Sequence, residues 1–325
     1  MKMRWFIRMA AWLLPVTALG GIADTVLAQA YPRRPIAYIV PYGPGSGNDV
    51  IARIVARKIS DNWGQQIVVV NRPGATGAIG LELTANAQPD GHTMVIASTS
   101  QIINQHISKV RYDFMRDFSH VSLSGTMPYA VVVLNSYPAK SLKELVAIAK
   151  ANPGKLNYTG TIGSIAHFMG EMLKSAGGID IVMVPNKLAA ESEVDVLAGR
   201  IEIWISTLST ALKQAKAGKV RVLAVGGGKR SAELPEVPSM AEAGYPKLDV
   251  VAAYYILTPA KTPNAINDTL NSQFVKAIGD KDVKERLGAV GVEPTTSTPH
   301  ELAALIKSDV EKWGKVVKEF GFRLE

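Results

Sequence analysis

From Pro35 onward, short apolar runs alternate with longer stretches whose apolar residues recur every three or four positions. The runs at 36–40, 67–70, 93–97, 131–134, 179–184, 201–205 and 220–225 predict strands. Between them, 50–60, 77–87, 141–151, 165–176, 189–198 and 207–217 predict helices, and 300–320 predicts a long C-terminal one. Several strands lack polar positions altogether, as strands covered on both faces do. Alternation at this spacing specifies an α/β fold, with mainly parallel sheets flanked by helices. Punctuation agrees with this reading. Asn48-Asp49 stands where a cap belongs ahead of Val50, Ser141 with Glu144 forms a capping box, and Gly218 follows the helix at 207–217.

Two stretches read as crossings between domains. One is 126–131, where Pro128 precedes a strand at 130–134; the other is 250–258, with Tyr254 and Tyr255. With both as hinge strands, one domain is discontinuous, 31–128 plus 254–325, and the other is 129–253. No short-period repeat or low-complexity segment is present.

The connection after the first strand is rich in glycine and proline. Residues 41–49 read Pro-Tyr-Gly-Pro-Gly-Ser-Gly-Asn-Asp and lead into the helix at Val50. The first amides of a helix have no partner within it and carry the positive end of its dipole. Glycines ahead of them let a ligand approach the main chain. Such a turn is an anion site in outline. Its candidate contacts are Tyr42, Gly43, Gly45, Ser46, Gly47, Asn48 and Asp49. Asp49 is itself an anion, so it either caps the helix or holds a water against the ligand. The alternative for the whole turn is an ordinary strand-to-helix connection. A second unit of the same kind spans 156–173. There Thr161 and Ser164 supply hydroxyls, and Gly163 and Ser164 supply amides. His167 lies on the same side of that helix as Ser164, either touching the ligand or holding the turn. Two such turns suggest a ligand gripped from both sides.

The N-terminus has a different character. Lys2, Arg4 and Arg8 precede an apolar run at 9–22, and Ala28-Gln29-Ala30 is a small-x-small cleavage signal. Residues 1–30 therefore read as a secretory signal peptide, cleaved after Ala30. A membrane anchor is the alternative, but the run is short for a span, and Pro15 and Asp24 interrupt it. About 295 residues follow, enough for two domains. Losing three positive charges and one negative lowers the formal charge from +8 to +6, which favours anionic partners or simply reflects a solvated basic surface. No basic run with interleaved aromatics points to nucleic acid. Cysteine is absent, which removes disulfides, thiol catalysis and thiolate metal sites. The five histidines, at 92, 106, 120, 167 and 300, show no paired metal spacing.

Motifs then make the chain recognisable. Tyr31-Pro-x-Arg-Pro-Ile and Ile39-Val-Pro-Tyr-x-Pro-Gly open it; Asn71-Arg-Pro-Gly follows, with Gly77 and Gly80. Pro89-Asp-Gly, Pro138-Ala-Lys-Ser-Leu-Lys-Glu-Leu, Gly163-Ser-x-x-His and Pro235-Glu-Val-Pro-Ser come later in the same order. In these features the sequence resembles the substrate-binding proteins of tripartite tricarboxylate transporters, the Bug family. The resemblance implies a type II, Venus-flytrap binding protein of the periplasm. It also implies a small organic acid in the interdomain cleft, membrane transporter subunits as partners, a monomer, no cofactor and no enzymatic step. Thr99, Ser100 and Asn104 match polar positions at the family's cleft edge, although helix capping explains them equally.

Departures from the family bear on which acid is bound. Ser46 replaces a second glycine. Asn186, with Lys187 and Leu188, replaces an aromatic–Lys–Gly segment. Ser206 replaces an aspartate, and Tyr254 and Tyr255 stand where tryptophan is usual. Two other readings stay open. One is a ligand-loaded accessory to a membrane signalling receptor. The other is an exported hydrolase or lyase, against which stands the lack of a Gly-x-Ser-x-Gly elbow, an intact dinucleotide fingerprint or a phosphate loop.

Overall fold

The computed structural model describes residues 31–186 and 189–319. The expected signal peptide, Lys187, Leu188 and the end of the last helix at Phe320 lie outside the described residues. The strands are β1 (Ile36–Val40), β2 (Ile67–Asn71), β3 (Thr93–Ser98), β4 (Phe118–Leu134), β5 (Leu156–Gly160), β6 (Ile181–Pro185), β7 (Ile203–Thr207), β8 (Val220–Val225) and β9 (Val251–Pro259). The α-helices are α1 (Gly47–Trp63), α2 (Ala78–Ala85), α3 (Thr99–Ile107), α4 (Leu142–Ala151), α5 (Ile165–Gly177), α6 (Ala189–Leu197), α7 (Leu208–Lys216), α8 (Asn264–Gly279), α9 (Lys281–Ala289) and α10 (Pro299–Glu319).

The strands form two sheets that share one long strand. In the first, β2, β1 and β3 run parallel, and β9 and then β4 join them antiparallel. In the second, β6, β5 and β7 run parallel, and β4 lies antiparallel between β7 and β8. The α/β class and the mainly parallel sheets agree with the sequence reading. Residues of β4 alternate between two apolar clusters. Val131 and Val133 join the larger core, while Ala130 and Val132 face Trp204, Leu208 and Leu212. Covering on both faces explains why this stretch has no polar position.

Several elements differ from expectation, α3 among them, a helix where the sequence reading assigned none. First, β4 starts twelve residues before the expected strand at 130–134 and carries Pro128 inside it. Pro128 pairs with Val251 at the last position where β4 meets β9; from Tyr129 on, β4 pairs with β7 and β8. The proline thus sits at a handover between partners, where a missing N–H is tolerated. Second, β7 starts at Ile203 and not at Ile201. The Glu202 carboxylate accepts the Asn157 N–H at 2.7 Å, so a side chain takes the place of ladder pairing there. Third, α8 and α9 fall in a region the sequence reading leaves unassigned. The α8 stripe Ile266, Leu270, Phe274, Ala277 and Ile278 is buried, a helical spacing that does mark it.

Candidate functional site

α1 begins earlier than Asn48-Asp49 implied. Ser46 is the cap: its backbone is extended, and its hydroxyl accepts the Asp49 N–H at 3.4 Å. The helix therefore starts at Gly47, and Asp49 falls in its first turn. Asp49 is nearly fully buried, and donors surround it. Gly45 donates its amide to Asp49 Oδ2 at 3.0 Å, Arg53 Nε donates at 3.0 Å, and Asn71 Nδ2 donates to Oδ1 at 2.9 Å. Burial alone would push this carboxyl up, but the bonds from Arg53, Gly45 and Asn71 prevail and hold it below its ordinary range. The Asn71 amide also donates to the Tyr42 carbonyl at 2.9 Å, which fixes the start of the turn. Arg53, four residues after Asp49, and Asn71 were missed by the sequence reading, although the i,i+4 spacing of the first was visible.

The remaining first-lobe candidates are placed as follows. Gly43 and Gly45 have open space where a Cβ would stand, and Gly45 has φ 81°. Gly47 packs against the Tyr254 hydroxyl so closely that a Cβ would collide with it. Asn48 donates its side-chain amide to the Ile96 carbonyl at 2.8 Å, tying α1 to the end of β3. Thr99 Oγ1 accepts the Ala253 N–H at 3.0 Å and lies 3.1 Å from the Tyr255 hydroxyl, so it anchors β9. Asn104 donates to the Ala75 carbonyl at 3.0 Å and accepts from Ser108. Ser100 sits among phenols, its side chain reaching the hydroxyls of Tyr42 and Tyr129. Burial pushes the Tyr42 phenol up to about 12 against those hydrogen bonds. Burial raises Tyr129 and Tyr254 too, and each phenol is raised further by its phenol neighbours. At neutral pH all three remain protonated; the Tyr42 hydroxyl of the first turn points at the Thr76 carbonyl, and that of Tyr254 from β9 donates to the Met127 sulfur at 3.7 Å. Tyr129 is a residue the sequence reading did not single out.

In the second lobe, Ser164 caps α5, its hydroxyl accepting the His167 N–H at 3.4 Å. His167 Nδ1 accepts the buried Gly163 amide at 3.2 Å. Burial lowers the His167 pKa, the Glu171 charge opposing this in part. The ring is therefore neutral at pH 7, with Nδ1 as acceptor. Thr161 closes the turn through its carbonyl, which accepts the Ser164 N–H at 3.0 Å. Asn186 donates its backbone N–H to Gly160 and its side-chain amide to Asp195 at 3.2 Å. It lines a surface hollow of about 430 Å³ with Val194, Asp195 and Arg200. Ser206 is buried in β7, opposite Ala130 of β4.

The structure links the two turns through a third loop. The loop 74–77, after β2, lies against Tyr42, whose hydroxyl reaches the Thr76 carbonyl at 3.5 Å. From the same loop, Thr76 Oγ1 donates to the Ile162 carbonyl in the opposite turn at 3.0 Å. α3 and α5 also pack together across the divide. Among the described residues no group of three acidic or histidine side chains could hold a metal, and no helix is long and apolar enough to cross a membrane.

Comparison with known proteins identifies the family. Residues 51–322 match the family model described as the tripartite tricarboxylate transporter family receptor. BugT of Bordetella pertussis is 35% identical over 95% of this chain and 96% of its own length. The structure of R. palustris Rpa4515 with adipate superposes with a TM-score of 0.86 at 30% identity, covering 90% of this chain and 99% of that one. MatC from Rhodopseudomonas palustris with bound malate superposes at 0.81 and 26% identity, over 88% of this chain and all of that one. The chain belongs to the tripartite tricarboxylate transporter receptor family, the Bug-type periplasmic solute-binding proteins.

Proposed function

We propose that this protein captures a small organic anion, a carboxylate or aromatic acid, between the two turns and presents it to membrane transporter subunits. The observation that supports the reading is the contact of the loop 74–77, which lies against Tyr42 of the first turn, with Ile162 in the second, close to the capped N-terminus of α5. Main-chain amides are the donors there. Arg53, a nearby cation, is engaged with Asp49. Relatives with adipate and malate support an acid as the ligand. No enzymatic step is assigned. The closing motion turns on β4 and β9, with borders at 31–128 plus 254–325 and 129–253. Only the closed form lets both turns contact the ligand, so the ligand shifts the population toward closure. Export through a signal peptide cleaved after Ala30 delivers a monomer to the periplasm.

Titration of protein that has been unfolded and refolded to strip any carried ligand tests this. Adipate and malate are the first probes, with their neutral diamides as controls. A ligand at 100 times its Kd adds about 2.7 kcal/mol of stability, visible as a rise in Tm. A rise with the diamides and none with any acid would sink the anion reading.

A further inference from the structure

Ala75 and Thr76 both lie in the left-handed region, with φ 47° and 54°. Glycine adopts this conformation freely, whereas for a β-branched residue it is a true outlier. The backbone is held there from behind. Asn104 Nδ2 donates to the Ala75 carbonyl at 3.0 Å, and Gln101 Nε2 to the Thr76 carbonyl at 3.2 Å. What this conformation brings forward is the Thr76 hydroxyl, which crosses the cleft to the Ile162 carbonyl at 3.0 Å. Ile162 directly precedes Gly163 and Ser164, the residues that form the N-terminus of α5. Strained backbone persists only where its surroundings fix it, and it clusters at clamps and switches. The Thr76–Ile162 hydrogen bond and the cross-lobe ion pair of Lys229 and Glu293 are both exposed, but only the ion pair is screened by salt.

We propose that Thr76 is a positioning residue of the clamp. Its hydroxyl latches the second turn onto the first lobe and so sets how fast a bound ligand escapes. The kinetic part rests on reading the cleft as an organic-acid site. The bond exists only when the lobes are together, so its loss acts on opening and leaves the encounter with ligand unchanged.

The test pairs two variants. Thr76→Gly removes the hydroxyl and relaxes the backbone, so the variant folds at least as stably as the parent. Thr76→Ser keeps the hydroxyl. With adipate as the probe, Thr76→Gly should raise the dissociation rate about five- to tenfold with the association rate unchanged, while Thr76→Ser stays within about twofold of the parent. A merely structural role would move stability and leave this split unmoved. The second readout needs no ligand. The chain has no cysteine, so spin labels at Lys219→Cys and Lys307→Cys, both exposed and on opposite lobes, report the distance between lobes cleanly. Thr76→Gly should shift that distribution to longer distances, and Thr76→Ser should not. An unchanged distribution, or an unchanged adipate dissociation rate, in Thr76→Gly overturns the latch. If neither adipate nor any other acid of the titration binds the parent or a variant while Thr76→Gly still lengthens the distance, the latch stands and the organic-acid reading fails.

Discussion

The two turns share a plan and differ in how they are held. Each follows a parallel strand, each uses a serine cap three residues before the amide it accepts, and each has a side chain reaching back to a glycine amide. In the first lobe that side chain is Asp49, a buried anion locked by Arg53 and Asn71. In the second it is His167, a ring kept neutral by burial, whose Nδ1 accepts the Gly163 amide. The first turn thus resembles a built-in bound anion, fixed before any ligand arrives. The second is tied by the Ser164 hydroxyl and the His167 ring, and by the hydroxyl of Thr76 from the other lobe. A clamp needs one rigid jaw and one that can settle, and the chemistry of these two turns divides that way.

The sharpest way to break the contrast is Asp49→Ala. It leaves the Gly45 amide and Asn71 without their acceptor and should destabilise the protein by about 2–3 kcal/mol at pH 7, read from urea unfolding midpoints. The Asp49 carboxyl titrates below its ordinary 3.8. Its contribution is therefore full at neutral pH and is lost as pH falls through that lowered value, so Asp49→Ala should show a flatter acid-unfolding curve. An unchanged midpoint would make the first jaw no more rigid than the second. Next in size is Gly47→Ala, whose new methyl meets the buried Tyr254 hydroxyl and should cost about 2 kcal/mol. In the second turn, Gly163→Ala has to adopt φ 77° and should cost about 1–2 kcal/mol through the backbone instead.

Smaller still, Ser46→Ala and Ser164→Ala each remove a cap worth about 1 kcal/mol. The two share no hydrogen-bond partner, so without coupling between the turns the double variant should show the sum. A marked departure from additivity in thermal unfolding would mean that the turns are coupled through the closed cleft. The smallest effect concerns His167. Burial lowers its folded pKa from the ordinary 6.5, so the unfolded chain takes up a proton first as pH drops. Stability is unaffected above that value and declines from about pH 6.5 down to the lowered one. His120 is lowered in the same direction and adds to the slope. His167→Gln should make the decline of Tm between pH 7 and 5 shallower, and an identical slope would place the titration elsewhere.

Much of the scaffold was legible because its signals are local. The apolar runs of β1, β3 and β8 mark strands covered on both faces, and the Ser141–Glu144 box marks the start of α4. One of its bonds is present, Glu144 N–H to the Ser141 hydroxyl, while the Glu144 carboxylate accepts the Lys140 N–H, one residue ahead of the cap. The strand 118–128 was hidden because its burial alternates unevenly and Pro128 reads as a breaker; only its pairing with β9, distant in sequence, makes it a strand. At the site, the turns could be read from glycine spacing. Which polar groups are spent on the fold could not, since Asn48, Thr99 and Asn104 bond to carbonyls and amides brought near by tertiary packing. Thr76 was hidden for the same reason, its φ and its partner 86 residues away both being products of the folded state.

The placement of β9 has a consequence for how the chain must be built. In the first sheet β9 lies between β3 and β4, yet it follows every strand of the second sheet in the chain. A chain emerging N-terminus first can finish the second sheet once Val225 is out. The first must wait for residues 251–259. Until they arrive, Val95–Ser98 and the stretch 118–128 are two open strand edges with a gap between them, the surfaces on which newly made proteins pair wrongly. The same insertion that joins the lobes thus makes the N-terminal lobe, although made first, the last to close.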